Sequence, residues 1–361
     1  MINKVYGQNV NGFNDTPSPL GEKVSTKITF IATSDIATVN SESQSIYNYE
    51  VTITSIVSES DPDKKSATIE NLMKTIVKDK TLTDIQKRPL LIKAMELLGA
   101  ISTKETGGEN YYKNPFHFPP KNGAPKGYVL LWPGFTAYPQ ELRKLGERLS
   151  QEGYWVYCNS LKPEDYSDKA NAKDWYKAIE TAYEVTRIIS ENPQKVFVGG
   201  TSIGGTLVLQ LAAKKRVGGI FTYGTPIGLC GLKDKRTLLS LIVTLFKILG
   251  IKIPKQKWEG SDYDPQKNIK EFSSSAVYQM LKSMARAKRA LRKINERILV
   301  LQGREDNTST GKSPKIIFNG VKSLYKGYIP IEDEPHTTGI YNGNEESIVR
   351  IVNFLNGISN Q

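Results

Sequence analysis

From Gly127 onward, short apolar runs alternate with stretches whose apolar residues recur at helical spacing. GYVLLWPGF (127–135), YWVYCNSL (154–161), KVFVGG (195–200) and VGGIFTYGTPIG (217–228) are nearly continuous hydrophobic segments rich in β-branched and aromatic residues. Between them lie PQELRKLGERLSQEG (139–153), DWYKAIETAYEVTRIISEN (174–192) and SIGGTLVLQLAAKK (202–215), each with one apolar stripe or more. Brief apolar strands separated by amphipathic helices predict a mostly parallel sheet covered on both faces. The rhythm stops near Leu229 and resumes at RILVLQGRED (297–306). It then continues through SPKIIFNGVKSL (313–324), GYIPIEDE (327–334) and a closing helix, EESIVRIVNFLNGI (345–358).

This rhythm divides the chain into three regions. Residues 126–229 and 297–361 form the α/β core. Residues 230–296 show no strand pattern and read as a helical insertion. Residues 1–125 precede the core as an α+β extension. In the extension, TKITFIAT (26–33) and YNYEVTITSIV (47–57) have the alternation expected of strands. After the charged break SESDPDKKS the period changes, because Ile69, Leu72, Met73, Ile76 and Val77 share a helical face. Thr83 and Gln86 have capping-box spacing ahead of a further helix through Leu90, Leu91, Ala94, Leu97 and Leu98. Residues 103–127 are a turn-rich linker, with His117 in a proline-rich loop.

Composition narrows the function classes. The net charge of +12 is spread along the chain, and aromatics are not interleaved with arginines as in nucleic-acid binders, so no nucleic acid is expected as partner. Two cysteines, Cys158 and Cys230, are too few for a disulfide scaffold, and two histidines are too few for a histidine metal site. Neither a metal nor a cofactor is expected. The first residues lack the apolar core of a signal peptide, and the longest apolar run, LLSLIVTLFKILGI, contains Lys247 and is short for a bilayer span. A cytoplasmic protein is the expectation.

The chemistry centres on Ser202. Gly200-Thr201-Ser202-Ile203-Gly204 fits the G-x-S-x-G nucleophile elbow, with an apolar strand before it and a helix after it. The strand-to-helix turn is tight, so hydrogen is favoured two residues to either side, and the hydroxyl emerges at the positive end of a helix. A serine hydroxyl needs a base. His336 follows the last predicted strand. An acid is expected between the two in the order Ser, Asp/Glu, His, and Asp306 ends the strand RILVLQGRED; Glu305 and Asp333 are the alternatives. The oxyanion of a tetrahedral intermediate needs two donors. The backbone N–H of Ile203 supplies one, and Phe135 in the loop after LLWPG supplies the second. TSTGKS (308–313) imitates a phosphate loop but lacks the required glycine at 306.

These motifs resemble the α/β-hydrolase superfamily, and within it the small bacterial carboxylesterases and monoacylglycerol lipases. Those proteins carry a strand ending His-Gly-Phe-Thr, a Gly-Tyr before the next strand, an Asp-Trp opening a helix, and G-x-S-x-G-G. Here the matching residues are Gly134-Phe135-Thr136, Gly153-Tyr154, Asp174-Trp175 and Gly200 to Gly205, with LVLQGRED and PHTTG following in order. The family's histidine before Gly-Phe is absent, and Trp132-Pro133 stands there instead. The resemblance implies an α/β-hydrolase fold and makes residues 230–296 a cap over the active site. It implies a small-molecule or lipid ester as substrate. The apolar stretch RTLLSLIVTLFKILGIKIP (236–254) is then either a buried cap helix or a lid that contacts a lipid interface, and the cations of 280–297 are either a solvated face or part of that contact. A thioesterase, an amidase or an acyltransferase would use the same machinery, and a binding protein on a hydrolase fold is the alternative from another class.

Overall fold

The computed structural model describes residues 41–108, 111–227, 252–254, 269, 271–306, 308–309, 311–336 and 338–359. The expected strand at 26–33 and most of the apolar stretch 236–254 lie outside them. Seven strands among the described residues form one sheet. They are β1 (Phe116–Phe118), β2 (Tyr128–Trp132), β3 (Trp155–Cys158), β4 (Val196–Thr201), β5 (Gly219–Tyr223), β8 (Ile298–Gly303) and β9 (Lys326–Ile331). Their order across the sheet is β1-β3-β2-β4-β5-β8-β9. Every neighbouring pair is parallel except β1 with β3. Strands β3, β4, β5 and β8 are buried along their whole length, which is why they read as unbroken apolar runs.

Both faces of the sheet are covered. On one, α4 (Arg143–Gln151) and α10 (Glu345–Ser359) pack against Val129, Leu131, Val156, Phe221 and Leu299. On the other, α5 (Ala172–Ser190), α6 (Ile203–Ala212) and α7 (Ser274–Ala290) cover Leu130, Trp132, Val198, Ile220 and Val300. Helix α8 (Ser313–Gly320) follows β8, and the short α9 (Thr338–Asn342) precedes α10. This is the α/β-hydrolase fold.

The N-terminal region differs from its expectation. Residues 47–57 are not a strand but the body of α1 (Ser41–Ser58). Its inward residues Ile46, Tyr49, Ile53 and Ile56 recur every three or four positions, and the hydroxyls of Thr52 and Thr54 return to the carbonyls of Asn48 and Glu50 at 2.9 Å. Packing against α2 (Pro62–Lys78) and α3 (Asp84–Ala100) overrides the strand preference of the β-branched residues. Thr83 and Gln86 do form a capping box at the start of α3. Helices α2 and α3 pack on α5, and their side chains join the same hydrophobic core as the sheet. From Ser41 to Ala100 the extension is therefore helical where it is described, and its last segment adds β1 to the edge of the main sheet, so it is fused to the core rather than set apart from it.

Two further expectations shift. His117 is in β1, not a loop; it is buried, its Nδ1 lies 2.9 Å from the Met95 carbonyl, and its ring sits on Trp155. The insertion is not wholly helical, because β6 (Lys252–Pro254) pairs antiparallel with β7 (Glu271–Ser273). Helix α7, counted with the insertion in the sequence, lies on the sheet-covering layer. Gln210 of α6 donates to the Ser283 hydroxyl at 2.9 Å, and small residues Ala276, Ser283 and Ala287 allow the close approach. Its cations Lys282, Lys288 and Arg289 are on the exposed face.

Candidate active site

The parallel strands all end on one side of the sheet, and the predicted chemical residues gather there. Ser202 follows β4 directly, with φ 47° and ψ −121°. A positive φ on a residue with a side chain costs on the order of 1–3 kcal/mol, so this turn persists only because its surroundings fix it. One such restraint is the Ser202 N–H, which donates to the Tyr223 carbonyl on β5 at 2.9 Å. The flanking glycines are sterically required. A Cβ on Gly204 would stand 2.1 Å from the Trp132 carbonyl oxygen, and one on Gly200 would stand 2.5 Å from the Gly204 backbone.

Ser202 Oγ lies 2.8 Å from Nε2 of His336, and His336 Nδ1 lies 2.6 Å from Oδ2 of Asp306. Asp306 follows β8 and His336 follows β9, so three loops at one sheet edge supply one hydrogen-bonded line. With Nδ1–H donating to the carboxylate, Nε2 is left to accept the serine proton. Glu305 and Asp333, the alternatives for the acid, are exposed, and neither pairs with His336 among the described residues.

The environment of Asp306 carries no sequence signal. Its Oδ1 accepts the backbone N–H groups of Thr308 (2.8 Å) and Ser309 (2.9 Å). Its Oδ2 accepts Ser309 Oγ–H at 2.8 Å and the Gln302 side-chain amide besides His336. Burial alone would push this carboxyl up. The His336 contact and charge, with the Ser309 donors, outweigh that and hold it below the ordinary 3.8.

Across from Ser202 runs the loop Pro133–Ala137. A Cβ on Gly134 would lie 3.3 Å from Ser202 Cβ, so the two backbones are in close approach. Gly134 N–H donates to Glu141 Oε2 at 2.7 Å, and Thr136 N–H donates to the Tyr166 hydroxyl at 3.0 Å. Between them, Phe135 N–H has no partner among the described residues, and neither has Ile203 N–H at the first turn of α6. Thr136 has φ 62°, a second strained residue within this site. Glu141 Oε2 also accepts the Thr201 hydroxyl at 2.5 Å, so one carboxylate touches both the loop and the residue before Ser202. The Phe135 ring meets Tyr166 and Phe272 edge-on, both at 5.1 Å, and Trp175 at 6.1 Å. This aromatic wall accounts for the Asp-Trp at the start of α5, where buried Trp175 donates Nε1–H to the Asp165 carbonyl.

Glu141, Tyr166, Gln302 and Ser309 carry no motif, and sequence reasoning missed them. Only proximity to residues distant in sequence reveals them.

Comparison with known proteins identifies the family. The serine aminopeptidase S33 family model matches residues 123–337. A thermostable monoacylglycerol lipase of Bacillus sp. (strain H-257) is 27% identical over 219 residues, which are 58% of this chain and 82% of the relative. A carboxylesterase of Bacillus subtilis (strain 168) is 25% identical over 218 residues, 58% of this chain and 83% of the relative. Among solved structures, one reported for the metagenome-derived lipolytic enzymes LipS and LipT superposes with a TM-score of 0.58 at 22% identity, covering 68% of this chain and 98% of the other. The monoacylglycerol lipase of Paleococcus ferrophilus gives 0.54 at 20% identity, covering 67% and 97%. The matched span encloses the elbow, Asp306 and His336, and it exceeds half the chain: this protein belongs to the serine aminopeptidase S33 family of α/β-hydrolases.

Proposed function

We propose that this protein hydrolyses carboxylic esters, with Ser202 as nucleophile, His336 as base and acid, and Asp306 as the residue that orients His336. The observation that carries the reading is the unbroken Ser202–His336–Asp306 hydrogen-bond line on a strained elbow, with the Gly134 backbone in close approach to Ser202. Ser202 Oγ attacks the carbonyl carbon while His336 Nε2 takes its proton. The carbonyl oxygen becomes an oxyanion that accepts hydrogen bonds from the N–H groups of Phe135 and Ile203. Collapse expels the alcohol, to which His336 returns the proton, and leaves an acyl group on Ser202. Water, deprotonated by His336, attacks that acyl group, and as the acyl–Oγ bond breaks His336 returns the proton to Ser202 Oγ and the acid is released. Asp306 keeps the proton of the neutral imidazole on Nδ1 and stabilises the imidazolium when it forms.

The names of the relatives, a monoacylglycerol lipase and a carboxylesterase, support a carboxylic ester over other acyl substrates. The family's own description names an aminopeptidase, which makes amide hydrolysis the second reading. A fluorophosphonate probe, a panel of p-nitrophenyl esters of rising acyl length and a set of aminoacyl p-nitroanilides separate these. Labelling of wild type but not Ser202→Ala, with turnover of esters and not anilides, is the expected result. Ester turnover that survives in Ser202→Ala sinks the assignment.

A further inference from the structure

We propose that Glu141 is a positioning residue that sets the spacing of the oxyanion hole by bracing the Phe135 loop against the end of β4. The proposal rests on the reading of Ser202 as nucleophile. Glu141 comes just before α4, and neither its position nor its neighbours mark it in sequence. In the structure its Oε2 receives Gly134 N–H at 2.7 Å and Thr201 Oγ–H at 2.5 Å. Gly134 precedes Phe135 and Thr201 precedes Ser202 and Ile203. A single oxygen atom therefore sits behind both arms of the hole, one residue away from one donor and two from the other.

The loop needs such a brace. Pro133 leads into the loop, and as a proline it gives the loop no N–H of its own at that point. Thr136 is held at φ 62°, a conformation costly for a β-branched residue unless its surroundings enforce it. Two side chains enforce it: Tyr166 takes the Thr136 N–H and Glu141 takes the Gly134 N–H. With the amides on either side committed, the Phe135 N–H is the one in this stretch without a partner among the described residues, and the proposal assigns it to the oxyanion. Oxyanion donors act through preorganisation, so an arm that is free to rotate loses effect without any loss of the donor itself.

This predicts a defect in the transition state rather than in substrate binding. Removing one oxyanion donor outright costs roughly 10²–10³ in kcat; loosening one should cost part of that. Glu141→Ala is expected to lower kcat about 10–100-fold on a p-nitrophenyl ester, with KM within about threefold. The Ki for an alkylboronic acid, whose tetrahedral adduct on Ser202 places oxygen in the hole, should rise by the same factor. Glu141→Gln keeps an acceptor oxygen for Gly134 N–H, and the Thr201 hydroxyl can turn, so it should stay within about fivefold of wild type. Thermal melting of each variant establishes that folded protein is compared. Should Glu141→Ala fail to fold, Glu141→Asp carries the same prediction, because it draws the carboxylate back by one methylene. Unchanged kcat, a change confined to KM, or a Gln variant as damaged as the Ala variant overturns the proposal. Failure of the underlying reading shows separately: it would appear in wild type and Ser202→Ala, as absent labelling or persistent turnover, whatever Glu141 does.

Discussion

Asp306→Asn is the sharpest perturbation of the proposed machinery, because the structure dictates which way the new amide must turn. The two backbone N–H groups of Thr308 and Ser309 point at Oδ1 and cannot rotate. The asparagine oxygen must take that side, which puts its NH2 where Oδ2 was. The groups there can adapt: the Ser309 hydroxyl can turn, the Gln302 amide can flip, and His336 can change tautomer. Little stability should be lost, within about 1–2 kcal/mol, because the hydrogen bonds can be remade. The adaptation of His336 is the damaging one. An NH2 facing Nδ1 makes Nδ1 the acceptor and moves the proton to Nε2, 2.8 Å from Ser202 Oγ. The ring then donates to the serine and cannot accept from it. Wrong-tautomer substitution in a triad lowers kcat by about 10⁴, equal to roughly 5 kcal/mol of barrier. Initial rates on a p-nitrophenyl ester, labelling by fluorophosphonate and a melting curve on the same preparation measure all of this. A variant that melts like wild type and turns over within tenfold of it refutes the assignment of Asp306.

Other outcomes are equally definite. Gly204→Ala should lower stability by about 1–3 kcal/mol and suppress labelling, because its Cβ would meet the Trp132 and Pro133 carbonyls at 2.1 and 2.4 Å; wild-type melting and turnover would contradict the steric account of the elbow. His117 is held neutral by burial, its pKa pushed down to about 4 against the backbone bond to Met95, and among the described residues its Nε2 has no acceptor for a second proton. The unfolded chain therefore binds that proton first as pH falls. Stability is fully present above pH 6.5 and declines from there toward pH 4, by about 2–4 kcal/mol from this group. Denaturant titrations at pH 7 and 4.5 should show a smaller pH difference for His117→Phe than for wild type; an equal difference would disprove it. Leu91→Ala in α3, at a fully buried position, should cost about 2–5 kcal/mol of global stability in one transition shared with the active-site core. A separate early transition with labelling intact would mean that the N-terminal helices fold on their own.

The strand and helix alternation from Gly127 onward was readable because buried parallel strands and one-sided helices have different periods. That Ser202, Asp306 and His336 would meet was readable because the proposed chemistry demands a fixed chain order and the turn demands glycines. The misread parts have identifiable causes. In α1, Val51, Ile53, Ser55 and Val57 alternate as a strand would, yet the contacts that matter fall at Ile46, Tyr49, Ile53 and Ile56. Helix α7 meets α6 through alanine and serine, so its inner face is too weakly apolar to announce itself, while its cations dominate the pattern. Glu141 acts on a residue 60 positions away, and Tyr166 on one 30 positions away. No local spacing encodes such pairs, since they exist only once β2, β4 and the loops beyond them are in place.

The parallel register gives the proposed reaction a second use as a reporter of assembly. Ile298 to Gly303 pair one to one with Lys326 to Ile331, and the loops bearing Asp306 and His336 leave from the ends of those strands. Each residue of slip along a strand displaces the loop at its end by about 3.3 Å. A single-residue error would therefore part the 2.6 Å contact between His336 and Asp306 while most of the hydrophobic core stayed covered. Collapse and secondary structure would tolerate that error; the serine would not react. On the proposed mechanism, covalent labelling of Ser202 during refolding thus counts only chains whose strands have found their correct partners. It distinguishes them from compact, mispaired ones that circular dichroism cannot tell apart.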